Sequence, residues 1–157
     1  MKIDIHQPFG TRISVNFGAY SKTGSEKTRN DDAFGIYSPD NRHELALKGS
    51  LFCIADGISG SPFSSLASSV ACKSVAMDYY STPDFWTFKK SAHHTINAIN
   101  TWLYSQGPEF RPENKFLLDK ALVTTFSCLI IKSNTAHIFH VGDSRIYRLR
   151  DNELELL

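Results

Sequence analysis

The sequence predicts an α+β fold, an antiparallel β-sheet with helices laid against it. Strand-like segments open and close the chain, and two segments with helical apolar spacing lie between them. The breaks between the last strands are also short enough for hairpins. These observations place strands at about 13–56, helices at about 61–106 and strands at about 121–150. At 157 residues the chain is one domain, or part of one, long enough to bury a core.

In chain order, "ISVNFGAYS" (13–21) alternates Ile13, Val15, Phe17 and Ala19 with polar partners, as a half-buried strand does. "SKTGSEKTRNDD" (21–32) is a polar loop, "AFGIYS" (33–38) a strand and "SPDNRHE" (38–44) a turn-rich connection. "LFCIAD" (51–56) is a buried strand. The period then changes. Phe63, Ala67, Val70, Met77 and Tyr80 fall at helical spacing, with Ser61 as cap and Pro62 at the first helical position. A second helix is capped by Asp84, carries the stripe Phe85, Phe88, Ala92, Ile96, Ile99 and Leu103, and stops at Gly107. A loop at 108–115 leads to strands at 121–132, 135–142 and 144–150, broken by "SN" and "GD".

Composition removes several function classes. Lys+Arg 17 against Asp+Glu 16 leaves a formal charge of +1, which gives no electrostatic case for nucleic acid or an anionic membrane. No apolar run approaches the ~20 residues of a membrane span, and the first residues hold no signal-peptide core. Cys53, Cys72 and Cys128 are far apart, without CxxC spacing, and sit in apolar surroundings. They read as buried free thiols in a reducing compartment, so a cytoplasmic location is expected.

The acids carry the chemical signal. Asp31 and Asp32 precede a strand, Asp56 ends one, and Asp143 follows Gly142 in a tight turn. Strand ends of one sheet can converge, and carboxylates gathered there repel unless a cation sits between them. Oxygen-only ligands suit Mg²⁺ or Mn²⁺, and no His/Cys cluster suggests zinc. His137 and His140, three apart in a strand, face opposite sides and share no metal. Each acid also has an ordinary reading: Asp56-Gly57 as a turn with Gly57 at positive φ, Asp31–Asp32 as a solvated pair, Asp143 as a turn residue paired with Arg145.

In order along the chain, "KTRNDDAF", "LFCIADGISG" followed by "SSLAS", and "TTFSCLIIKSNTAHIFHVGDSRIYRLRDNELELL" resemble motifs of the metal-dependent protein phosphatases of the protein phosphatase 2C type, the PPM family. The resemblance runs from about residue 10 to the end. The helical insert and "HVGDSRIYRLR" are most similar to a bacterial subgroup in which the phosphatase is joined to a serine/threonine kinase domain. The resemblance implies a β-sandwich of two antiparallel sheets flanked by helices (αββα layers), with two metals at one end. Asp56 matches the aspartate that bridges both metals, and Gly57 the residue giving a backbone carbonyl. Asp32 matches the final acid of the first motif, Asp31 replaces its glutamate, and Asp143 matches the acid of a third, weaker metal site in many members. The implied reaction is hydrolysis of phosphoserine or phosphothreonine in proteins by a water activated on Mn²⁺ or Mg²⁺, without a side-chain nucleophile.

The sequence departs from the family pattern in several places. Lys27 replaces the phosphate-binding arginine, which leaves Arg29 as a candidate substitute. Ile58 stands where some members carry a histidine, Ser59 and Val123 where glycine is common. The family's later Asp-Gly and Asp-Asn motifs would fall beyond "ELELL". The chain is therefore expected to be the N-terminal portion of the phosphatase domain, with little or no activity alone. The alternatives are a non-catalytic phosphatase-like interaction module and a simple divalent-cation-binding domain.

Overall fold

The computed structural model of the chain describes residues 2–6, 12–106 and 122–157. Its centre is a four-stranded antiparallel sheet in the order β3 (Asp32–Tyr37), β4 (Ser50–Asp56), β5 (Phe126–Lys132) and β6 (Thr135–Val141). Two separate antiparallel ribbons join β1 (Lys2–His6) to β2 (Arg12–Asn16) and β7 (Tyr147–Arg150) to β8 (Glu153–Leu156). Three helices complete it: α1 (Arg42–Lys48), α2 (Ser64–Ser81) and α3 (Phe88–Gln106). The α+β class holds.

Alternation along the strands decides which side is core. Leu51, Cys53 and Ala55 of β4, with Cys128 and Ile130 of β5, are buried among Ala67, Ala71, Cys72, Val75 and Tyr79 of α2. Small residues let α2 lie close to the sheet: the Cys53 thiol reaches the carbonyl of Cys72 at 3.7 Å. Burying a side chain such as Leu51, Val75 or Ile130 contributes about 1.5–3 kcal/mol. Tyr79 is fully buried and donates to the carbonyl of Lys48 at 2.6 Å. The Lys48 ammonium is buried too, bonded to Thr82 Oγ1, Ser91 Oγ and the Pro83 carbonyl, and burial pushes its pKa below the ordinary lysine value.

The opposite face of the sheet is apolar and largely open. Phe34, Ile54 and Ile138 are exposed on it, and Phe17 packs edge-on against Phe52 with ring centres 5.5 Å apart. A trough of about 680 Å³ runs along this face, with Asp32 in its wall.

Several expected boundaries move. The strand expected at 13–21 is β2, which ends at Asn16 and pairs with β1, a strand not anticipated. The connection at 38–44 contains the start of α1, because Asn41 Oδ1 accepts the His43 N–H at 2.8 Å and caps it. Helix α2 begins at Ser64 rather than beside a Ser61 cap, and Ser61 instead accepts bonds from the Phe63 N–H and the Ser64 hydroxyl. Met77 is 71% exposed, so the buried stripe of α2 runs one position off the expected one. Helix α3 starts at Phe88 with Thr87 Oγ1 accepting the Lys90 N–H, while Asp84 lies outside it near His43 and Phe85 is exposed. The "SN" break makes the β5–β6 hairpin, but across "GD" the chain leaves the sheet, and β7 pairs with β8. The stop at Gly107 and the loop at 108–115 lie outside the described residues.

Candidate metal centre

Strand pairing builds the site. In the β3–β4 ladder Asp32 lies opposite Asp56, on the same side of the sheet as the Phe34–Ile54 and Ile36–Phe52 pairs. The two carboxylates meet at the strand ends, both exposed to solvent. Partial burial, contact with the Asp32 carboxyl, and the charges of Asp32 and Asp143 push the Asp56 pKa up from its ordinary value, while Lys27 opposes them. An oxygen-only pair of like charges at the end of a rigid strand fits a hard divalent cation. Among the described residues no three His, Cys, Asp or Glu side chains are placed together as a ready ligand set.

Gly57 is not a turn residue at positive φ, since that conformation belongs to Gly49, Gly60 and Gly142. It extends β4 by a bridge to Thr124, and its N–H donates to the Asp31 carbonyl at 3.1 Å. Glycine is required by crowding, because a Cβ here would lie 2.4 Å from the Ser64 carbonyl oxygen. Asp56-Gly57 is thus a strand end pressed against the start of α2.

The loop before β3 is fastened to the same place. The Asp31 carbonyl also accepts the Ser68 hydroxyl at 2.6 Å. The Asp31 carboxylate, nearly buried, is met by Arg29 Nε at 2.8 Å and by Lys27 Nζ at 3.9 Å. Arg29 Nη1 also donates to the Pro62 carbonyl, and Nη2 to the Ser61 carbonyl and Ser64 Oγ. Asn30 Oδ1 accepts the Asp32 N–H at 3.1 Å, which orients the first residue of β3. Lys27 reaches Ser59 Oγ at 3.2 Å and remains half exposed at the rim.

Asp143 is exposed in the turn after β6 and makes no ion pair with Arg145 or any other described residue. The structure therefore brings Asp32 and Asp56 together, sets Lys27 and Asp143 within electrostatic reach, and turns Asp31 toward Arg29. His137 and His140 are apart: His137 packs on Phe88, and His140 Nδ1 pairs with Ser127 Oγ. Sequence reasoning passed over Thr124, Thr125 and Ser144, whose hydroxyls bond around Asp56; the polar "TT" ahead of an apolar strand was the available signal.

A family model described as protein phosphatase 2C matches residues 22–157. The chain belongs to the protein phosphatase 2C family. None of the curated proteins matches it by sequence. Among solved structures it is similar to the serine/threonine phosphatase Stp1 from Staphylococcus aureus, at 22% identity and a TM-score of 0.67, covering 87% of this chain and 50% of that one. The Mycobacterium tuberculosis serine/threonine phosphatase PstP/Ppp gives 23% identity and a TM-score of 0.64, over 88% of this chain and 51% of that one. The PstP catalytic domain solved with two manganese ions gives 23% identity and a TM-score of 0.63, over 88% and 52%. These likenesses establish a protein phosphatase 2C fold, and the chain spans about half the length of these structures. No helix among the described residues is long and apolar enough to cross a membrane.

Proposed function

We propose that this chain carries the N-terminal part of a metal-dependent protein serine/threonine phosphatase. The observation that carries the reading is the Asp32–Asp56 pair, two carboxylates directly opposed at the ends of β3 and β4 with the Lys27 cation beside them. Asp56 and Asp32 would hold Mn²⁺ or Mg²⁺, with the Gly57 carbonyl and Asp143 contributing where more than one ion binds. What such an ion supplies when bound is a water acidic enough to attack phosphorus near neutral pH.

The chain's own residues then divide the remaining work. Lys27, exposed at the rim, meets the phosphoryl oxygens as a point charge. Arg29 is the weaker candidate for that role, because its guanidinium is occupied by Asp31, Ser61, Pro62 and Ser64. Asp31 acts through this clamp or through water. The substrate is a phosphoserine or phosphothreonine segment of another protein, and the reciprocal enzyme is a serine/threonine kinase, fused or separate. Three buried free thiols favour a reducing, cytoplasmic setting.

The chain spans about half the length of the phosphatases it is similar to, so hydrolysis by the chain alone is expected to be slight. Binding is the sharper test. In the presence of Mn²⁺ the chain is expected to bind a phosphoserine peptide and not its unphosphorylated counterpart. Equal binding of both peptides would overturn the phosphatase reading and leave a plain cation-binding domain.

A further inference from the structure

Asp56 is the last residue of β4, and the regular β4–β5 ladder ends before it, at Ile54 opposite Ser127. Its main chain is held differently. The Asp56 N–H donates to the side-chain oxygen of Thr125, Oγ1, at 3.0 Å, where a regular ladder would offer a carbonyl. The Thr125 N–H donates back to the Asp56 carbonyl at 2.9 Å, and the Thr124 hydroxyl donates to the same carbonyl at 2.9 Å. Both polar groups of the Asp56 main chain are therefore fixed by two consecutive threonines.

Thr125 also faces the other way. Its Oγ1 pairs with Ser144 Oγ at 2.9 Å, next in sequence to Asp143. Its Cβ and Cγ2 fill the space above Gly142, where an added Cβ would lie 2.7 Å from each, and Gly142 sits at φ +114°. One side chain thus touches the strand end that presents Asp56 and both neighbours of Asp143.

We infer that Thr125 is a positioning residue, whose hydroxyl locks the Asp56 strand end to the 142–144 turn and so fixes where the Asp56 carboxylate stands for a divalent cation. The inference rests on the metal reading above. A threonine suits the task because it offers a hydroxyl that accepts and donates at once, on a β-branched frame with restricted χ1.

The test compares Thr125→Val, which keeps the shape and removes the hydroxyl, with Thr125→Ser, which keeps the hydroxyl and removes the methyl. Amide hydrogen exchange at Asp56 and Ser144 is followed by NMR in the 157-residue chain, and Mn²⁺ alone is titrated calorimetrically. For Thr125→Val, exchange at Asp56 is expected to quicken and Mn²⁺ affinity to fall, each by about tenfold, the scale of one lost hydrogen bond. Thr125→Ser is expected to stay within about twofold of wild type in both, the mark of a role for the hydroxyl rather than the methyl. Wild-type Mn²⁺ affinity in the Val variant, or equal weakening in both variants, would overturn the assignment. A wild-type chain that takes up no Mn²⁺ would instead bring down the metal reading, and this inference with it.

Discussion

The two sides of β4 are under opposite physical pressures. Toward α2, Leu51, Cys53 and Ala55 are buried in the shared core, where every contact favours the fold. On the other side the strand carries Phe52, then Ile54, then Asp56, and at that last position a carboxylate faces the carboxylate of Asp32. Like charges directly opposed on neighbouring strands are destabilising. The core side lends the rigidity that lets the strand end hold an arrangement that would otherwise separate. A packed core and an exposed carboxylate pair are thus placed one residue apart, and the contrast can be tested from either side.

The largest effect is expected on the core side. Tyr79→Ala removes a fully buried ring and its 2.6 Å bond to the Lys48 carbonyl. It is expected to cost about 3–5 kcal/mol in denaturant unfolding, in line with other buried aromatic truncations. A loss below about 1 kcal/mol would mean that α2 is not what braces the sheet. Next comes the junction of the two sides. Gly57→Ala forces a methyl against the Ser64 carbonyl oxygen, 2.4 Å away, with the Asp31 carbonyl oxygen at 2.8 Å. About 1–3 kcal/mol of destabilisation is expected, as for overpacked sites. A thermal melt like that of wild type would show that α2 and the loop before β3 yield easily.

On the acidic side the sign reverses. Asp32→Asn relieves the repulsion with Asp56, so the metal-free chain is expected to gain about 0.2–1 kcal/mol while losing Mn²⁺ affinity. Destabilisation of the metal-free chain would contradict the view of this pair as strained without a cation. Lys27→Ala gives the smallest change in stability, within about 0.5 kcal/mol, since Lys27 lies at the exposed rim. Its effect belongs to phosphopeptide affinity, which is expected to fall for Ala and to be retained or improved in Lys27→Arg by the bidentate fork. Unchanged phosphopeptide binding in Lys27→Ala would remove Lys27 from the site.

The same contrast explains what was legible in the sequence. The apolar run ending at Asp56 and the ordered acidic motifs pointed to a strand-end site, because strand character and turn residues are local signals. The α+β class followed from the change in period between Ile13 and Arg150. Short elements escaped: β1 is too short to stand out although Ile3 and Ile5 alternate, and α1 was hidden by the turn-rich residues that cap it. The stripe of α2 was misplaced because its buried face includes Ser64 and Ser68, chosen for smallness and hydrogen bonding rather than hydropathy. Within the site, the opposition of Asp32 and Asp56 depends on strand register, which neither segment encodes alone. The diversion of Asp31 and Arg29 into a clamp on α2 depends on tertiary approach, as does the bracing of Asp56 by Thr125. Of the two readings of Gly57, the turn at positive φ does not occur, and what requires glycine is the start of α2 pressed against it, which the sequence does not show.

The most direct measurement is calorimetric titration of Mn²⁺ into the 157-residue chain, beside Asp56→Ala whose fold is verified by its melting curve. Saturable binding by wild type, weakened about a hundredfold in Asp56→Ala, is the expected result for a carboxylate that contacts the ion, on the scale of a lost contact to a charged group. Equal titration curves for the two proteins would contradict the assignment of the β4 strand end as a metal centre.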